Sequence, residues 1–135
     1  MIVALINPSA CRARGAEMAH VLAGSSSRIR LIVSDSAADV DTLIRGIDHD
    51  RIELLILAGG DGTLLNLLTR FDAAGRLDDV PPLVVLPCGD MNTTARALVG
   101  LRKPEVLAPR IVHAWTRGVR RLHRLPVLRL SVEGQ

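Results

Sequence analysis

Short apolar runs alternate with longer segments of helical periodicity along the first hundred residues of the chain. The apolar runs contain little polar alternation, which is typical of strands covered by helices on both faces. The predicted strands are 2–6, 28–33, 52–58 and 83–86, and the predicted helices between and after them are 14–23, 38–47, 63–71 and 92–98. Four strand-then-helix units predict an α/β fold, a three-layer, doubly wound and mostly parallel sheet.

The pattern changes after Gly100. Pro104 is placed to begin a helix that runs to about residue 117, with Pro109 interrupting or kinking it and Gly118 ending it. Residues 119–125 and 127–132 are then predicted as two further strands. Because this last stretch has little apolar surface left to bury, residues 118–135 are expected to lead into another unit.

Composition limits the class of protein. A chain of 135 residues with 48% apolar and 23% charged residues is expected to form one globular domain. One Trp, one Phe and no Tyr make a protein that stacks nucleic-acid bases on aromatic rings improbable. Two cysteines give neither a zinc spacing nor a disulfide framework, and the apolar N-terminus lacks a basic leader. A reducing cytoplasm is therefore the expected location.

The net charge of +3 is unevenly distributed. Residues 101–135 carry eight of the 17 basic residues, but only two acidic residues, Glu105 and Glu133. A basic segment of this kind fits an anionic lipid surface, a phosphorylated ligand or an acidic protein surface. It equally fits an ordinary solvent-exposed surface in a chain whose basic residues are mostly arginine, and the sequence does not decide between a binding surface and a solvated one.

The strongest candidate for chemistry is the loop Gly59-Gly60-Asp61-Gly62-Thr63, between a strand and a helix. Glycines let phosphate oxygens approach the backbone, and the helix that follows presents free N–H groups to an anion. Thr63 is expected to cap that helix or to donate its hydroxyl to a phosphate. Asp61 is expected to bind Mg²⁺ or to accept from a hydroxyl. The alternative is a tight turn in which Asp61 is a cap.

Two further loops are expected at the same edge of the sheet. In residues 86–92, Asp90 or Asn92 is expected to cap the next helix, and in residues 7–15, Arg12 and Arg14 are placed to reach a phosphate. Cys11 and Cys88 occupy these two loops and are expected to approach one another. An incidental approach is favoured over redox control.

Three motifs in this order resemble the catalytic domain of the diacylglycerol kinase and sphingosine kinase superfamily. Asn7-Pro8-Ser9-Ala10-Cys11 resembles Asn-Pro-x-Ser-Gly. Gly59-Gly60-Asp61-Gly62-Thr63 matches Gly-Gly-Asp-Gly-Thr in full. Pro87-Cys88-Gly89-Asp90-Met91-Asn92, with Ala95-Arg96 after it, resembles Pro-x-Gly-Thr-x-Asn. The soluble lipid kinases of bacteria look most similar.

The resemblance implies a nucleotide-binding domain like those of NAD kinase and phosphofructokinase. It implies phosphorylation of a lipid hydroxyl, such as that of diacylglycerol, by ATP with Mg²⁺. Asp61 is expected to be the catalytic and metal-binding residue. The residues expected to contact the nucleotide are Asn7, Ser34, Gly59, Gly60, Asp61, Gly62, Thr63, Gly89, Asp90 and Asn92.

The chain also departs from the family pattern. Asp90 replaces a Thr or Ser, and the family completes its site with a second, β-rich domain that supplies the lipid pocket and a base. The fragment is therefore expected to be incomplete for catalysis. A nucleotide-binding pseudokinase, a regulatory module or an NAD kinase-like enzyme are the alternatives. The C-terminal segment is expected to touch a membrane surface transiently or to form a homodimer.

Overall fold

A four-stranded, all-parallel sheet forms the centre of the protein. The computed structural model describes residues 1–34, 36–89, 91–100 and 102–128, with backbone alone for Ala13. The strands are β1 Ile2–Ile6, β2 Ile29–Val33, β3 Leu54–Gly59 and β4 Leu83–Pro87, in the spatial order β2-β1-β3-β4. Every neighbouring pair is parallel, and the predicted fold class is confirmed.

Helices connect the strands and cover both faces of the sheet. They are α1 Pro8–Cys11, α2 Gly15–Ser25, α3 Ala37–Asp50, α4 Asp61–Ala73, α5 Thr93–Val99 and α6 Pro104–Thr116, with 3₁₀ turns at Arg12–Arg14 and Leu77–Asp79. None of the described helices is long and apolar enough to cross a membrane.

The predicted helix 14–23 is observed as α2, and the structure adds the short helix α1 and a 3₁₀ turn before it, because Asn7 caps a separate first turn. Two other helix predictions are corrected. Helix α4 begins at Asp61 with Gly60 at its N-cap, so Thr63 lies inside the first turn and is not a cap. Helix α6 begins at Pro104 as predicted, and it continues through Pro109.

The core is divided between the two faces of the sheet, which explains the unbroken apolar runs of β1 and β3. All eleven residues of these two strands are buried. On one face they pack with α2 and α6, including Met18 and Trp115, and on the other with α3 and α4, including Leu43 and Phe71. Each strand therefore has no solvent face on which a polar residue would be favoured.

The C-terminal segment differs from its prediction. Residues 119–128 form no strand in the described part of the chain, so the predicted strand 119–125 is wrong, and residues 129–135 lie outside the described residues. Apolar side chains recur at every third position, at Val119, Leu122, Leu125 and Leu128, and all four are exposed. Apolar patterning alone does not make a strand, because a strand needs a neighbour with which to share backbone hydrogen bonds.

Candidate functional site

Three loops meet where β1, β3 and β4 end. Since the strands are parallel, their carboxyl ends lie at one edge of the sheet, the usual place for ligands in this architecture. A cavity of about 220 Å³ opens there. Its lining residues come from all three loops: Ser9, Ala10, Arg12, Gly60, Gly62, Thr63 and Gly89. The structure thus brings together the three segments that the sequence indicated.

The loops after β3 and β4 touch through their backbones. A Cβ atom on Gly89 would lie 2.6 Å from Cα of Gly60, and one on Gly60 would lie 3.2 Å from Cα of Gly89. A Cβ on Gly59 would lie 2.7 Å from the side chain of Thr63. Gly59 and Gly89 therefore require glycine for a close approach of backbone to neighbouring atoms, and Gly60 is tightly packed.

Asn7 ties the first loop to the glycine loop. Its Oδ1 accepts from the backbone amides of Ser9 at 3.0 Å and Ala10 at 3.3 Å, which caps α1. Its Nδ2 donates to Oγ1 of Thr63 at 2.9 Å. Because Thr63 Oγ1 accepts this bond, the hydroxyl proton of Thr63 stays available to an acceptor in the cavity. Asn7 has a positioning role in the described structure.

Asn92 forms two hydrogen bonds to Gly89 within the third loop, the one that follows β4. The residue is buried and has a left-handed backbone with φ of 52°. Its Oδ1 accepts from Gly89 N at 2.7 Å, and its Nδ2 donates to Gly89 O at 2.6 Å. Asn92 therefore holds Gly89 against the glycine loop. Asn92 is at the N-cap position of α5, but its side chain makes no capping hydrogen bond to that helix, and Asp90, the other residue predicted as the cap, lies outside the described residues.

Asp61 supplies the cap of α5 from another part of the chain. Its Oδ2 accepts from Thr93 N at 3.0 Å and its Oδ1 from Thr94 N at 3.1 Å. These hydrogen bonds, the one from Thr93 first, hold the pKa of Asp61 below its ordinary value. Both oxygens face the start of α5, and Asp61 is not among the residues that line the cavity. This partnership carries no signal in the sequence, since the donors are backbone amides.

The described residues do not form a complete metal-binding site. No group of three or more His, Cys, Asp or Glu side chains in the described ranges is placed to hold an ion. Each Asp61 oxygen has lone pairs beyond the one that its amide partner uses. Asp61 therefore keeps lone pairs with which it could accept a cation.

Replacing Asp61 by alanine is expected to lower the stability of the domain in a pH-dependent way. The pKa of Asp61 is lowered in the folded state, so its stabilising effect is complete above the ordinary carboxyl pKa of about 4 and is lost as the pH falls through the lowered value. Urea midpoints of wild type and Asp61→Ala should differ near neutral pH and converge in acid. Asp61→Asn, which keeps an uncharged acceptor, should show no such convergence with Asp61→Ala. A difference from wild type that is independent of pH would contradict this account.

Ser34 and the two arginines of the first loop have different surroundings. Ser34 follows β2, where its backbone N–H donates to Ile6 O and its Oγ accepts from Ser36 N at 2.8 Å. Ser34 does not line the cavity, whereas Arg12 does, with a positive φ of 53°. Arg14 pairs with Glu105 at 3.0 Å, so it is directed toward α6.

Comparison with known proteins gives the family of the domain and relates its fold to a solved structure. The profile of the diacylglycerol kinase catalytic domain matches residues 1–122. The fold is similar to the crystal structure of a proposed diacylglycerol kinase from Bacillus anthracis str. Sterne, with a TM-score of 0.64 and 20% identity over 83% of this chain. The chain spans 40% of that protein's length. No protein of curated function matches the sequence. The chain belongs to the diacylglycerol kinase catalytic domain family.

Proposed function

We propose that this domain binds the phosphates of ATP and serves as the nucleotide-binding part of a lipid kinase. The kinase would transfer the γ-phosphate to a lipid hydroxyl such as that of diacylglycerol. The observation that carries the proposal is the cavity at the carboxyl edge of the sheet, built from the backbones of Gly60, Gly62 and Gly89. The family of the domain supports the same substrate class.

The lining of the cavity fits a chain of phosphates. The first amides of α4, those of Asp61, Gly62 and Thr63, have no acceptor within the helix, and the helix dipole makes this end positive. Arg12 adds a positive charge, and Ser9 and Thr63 add hydroxyl groups. The glycines leave room for phosphate oxygens close to these donors. Binding would therefore rest mainly on backbone amides.

Mg²⁺ would neutralise the charge that develops on the transferred phosphoryl group. The family resemblance assigns the metal, and the catalytic role, to Asp61. The hydrogen bonds of Asp61 to α5 support first a positioning role, in which it holds α5 beside the glycine loop. We place metal binding by its remaining lone pairs second. A Mg²⁺ dependence of ATP affinity that Asp61→Asn abolishes would support the metal role.

Gly62→Val is expected to reduce the affinity for ADP at least tenfold without unfolding the domain. Gly62 lines the cavity, and a Cβ on it would have no protein atom within 4 Å. The valine side chain would therefore fill part of the cavity without clashing with the protein. Gly24→Val is the matched control, because Gly24 is equally open but lies on the exposed face of α2. Isothermal titration with ADP and thermal unfolding of both variants test this.

Equal ADP affinity in wild type and Gly62→Val, with both folded, would remove the phosphate site from this cavity. If both valine variants lost affinity for ADP, the loss would come from placing valine in a helix and not from filling the cavity.

A nucleotide-binding domain without turnover of its own is the second candidate. Among the described residues, no carboxylate lines the cavity, so no general base for a lipid hydroxyl is present there. We propose that the 135-residue chain alone phosphorylates diacylglycerol negligibly, and that residues 118–135 lead into a β-rich domain that completes the site. Transfer of labelled phosphate from ATP to diacylglycerol in micelles by this chain would contradict the proposal.

The C-terminal segment is the proposed membrane contact of a cytoplasmic enzyme. Its exposed basic residues are Arg120, Arg121 and Arg124, which are interspersed with the exposed apolar residues of 119–128, and Arg117 lies just before it. This combination supports a transient contact with anionic lipid. Co-sedimentation with vesicles of phosphatidylglycerol, but not of phosphatidylcholine, is the expected result. A homodimer remains a prediction, for which analytical ultracentrifugation is the measurement.

A further inference from the structure

Arg12 has a backbone conformation that residues with a Cβ rarely adopt. Its φ is 53° and its ψ is −128°. The other described non-glycine residues with positive φ, Arg51 and Asn92, lie in the common left-handed region, with ψ of 54° and 41°. The angles of Arg12 are instead close to those of the first central residue of a type II′ turn, a position that glycine dominates. The residue type therefore conflicts with the local backbone.

The residues on both sides of Arg12 are anchored, which keeps this conformation in place. The backbone N–H of Cys11 donates to Asn7 O at 3.0 Å, and its Sγ donates to Ala58 O at 3.4 Å. On the other side, the buried Gly15 begins α2, and its backbone N–H donates to Arg12 O. Strained conformations persist only where the surrounding structure imposes them, and they cluster at ligand-binding sites.

The side chain of Arg12 is exposed and belongs to the candidate site. Among the described residues that line the cavity, Arg12 is the only charged one. The others offer backbone groups and the hydroxyls of Ser9 and Thr63. Arg14, two residues further on, has an ordinary helical backbone and pairs with Glu105 at 3.0 Å. The strained backbone therefore belongs to the arginine that lines the cavity, and not to its neighbour that pairs with α6.

We propose that the strain at residue 12 is retained because it places an arginine in the cavity, where the arginine makes the site selective for polyphosphates over monophosphates. This inference rests on the phosphate site proposed above. A guanidinium attracts every additional phosphate charge, whereas the backbone amides and hydroxyls of the lining are uncharged. ADP therefore gains more affinity from Arg12 than AMP does. Glycine at this position would relieve the strain, but the cavity would lose its charge.

The experiment compares Arg12→Gly with Arg51→Gly in the full chain. Both variants place glycine at a positive φ and remove one positive charge, but Arg51 ends α3 and precedes β3, at the opposite edge of the sheet. We expect Arg12→Gly to raise the urea midpoint and to reduce the affinity for ADP about tenfold, the effect of losing one charged hydrogen-bond donor. Its affinity for AMP should fall less. Arg51→Gly should bind ADP and AMP as the wild type does, as measured by isothermal titration.

Arg12→Ala and Arg12→Lys separate the strain from the charge. Alanine keeps the Cβ, so Arg12→Ala should lose ADP affinity as Arg12→Gly does, but its urea midpoint should lie below that of Arg12→Gly. Arg12→Lys should keep most of the affinity for ADP.

Two results would overturn the inference while leaving the phosphate site in place. The first is an Arg12→Gly midpoint at or below that of Arg12→Ala, since alanine is the more stable of the two wherever the backbone is unstrained. The second is a ratio of ADP affinity to AMP affinity that Arg12→Gly leaves unchanged. A wild-type protein that binds no ADP would overturn the phosphate site itself, and this inference with it.

Discussion

Gly89→Ala is expected to abolish measurable ADP binding and to destabilise the domain by about 1–3 kcal/mol, the usual cost of forcing an extra methyl group into packed atoms. The added Cβ would lie 2.6 Å from Cα of Gly60 and 3.1 Å from Oδ1 of Asn92. Neither neighbour can move freely, because one is backbone and the other is held by two hydrogen bonds to residue 89 itself. The two loops must therefore separate, and they form the cavity together.

Two further glycine-to-alanine substitutions, with progressively weaker contacts, serve as controls for this prediction. Gly60→Ala makes the same contact from the other side at 3.2 Å and should have a smaller effect on both measurements. Gly24→Ala meets no atom within 4 Å and, as a helix substitution, should stabilise the domain by about 0.5–1 kcal/mol. Urea unfolding and titration with ADP rank the three variants. If Gly89→Ala ranked with Gly24→Ala, the proposed contact between the two loops would be wrong.

Trp115→Ala is expected to have the largest effect on stability, a loss of about 3–5 kcal/mol. Trp115 is 7% exposed and packs in the core cluster on the face covered by α2 and α6. The guanidinium of Arg120 lies 4.1 Å from its ring centroid, so truncation also removes a cation–π contact. Trp115 is therefore a core residue between α6 and the sheet. Urea unfolding by circular dichroism is the measurement.

Trp115→Phe separates ring packing from the indole N–H. Nε1 of Trp115 is buried without an acceptor among the described residues, so its removal should cost little in hydrogen bonding. We expect Trp115→Phe to lose less than half of what Trp115→Ala loses. Equal losses in the two variants would mean that the size of the indole, and not an aromatic ring as such, holds α6 to the sheet.

The features that the sequence predicts well are those that depend on one segment at a time. Residues 2–6 and 54–58 are apolar without alternation, and such runs in this order leave few folds other than a parallel sheet. The position of residues 59–63 between a strand and a helix is predicted equally well, because it depends on that segment alone, whereas the binding of an anion there stays a prediction.

The features that the sequence could not show depend on two segments at once. Asp61 was expected to face a ligand, yet each of its carboxylate oxygens accepts a hydrogen bond from a backbone amide at the start of α5, that of Thr93 or Thr94. Every residue except proline has a backbone N–H group, so nothing in the amino-acid sequence identifies Thr93 and Thr94 as the partners of Asp61. The contact between Gly60 and Gly89 had one available signal, which is that both glycines follow strands that end at the same edge.

The order of the strands has a consequence for synthesis on the ribosome. Strand β1 emerges before the other three strands, but it lies in the middle of the sheet, where Ile2 pairs with both Ile29 and Leu54. At a translation rate of about 5–20 residues per second, its second neighbour arrives only seconds later. Until then five consecutive apolar residues are exposed on a nascent chain that cannot yet cover them. Such a segment is a natural binding site for ribosome-associated chaperones, and slowing translation before residue 54 should increase aggregation.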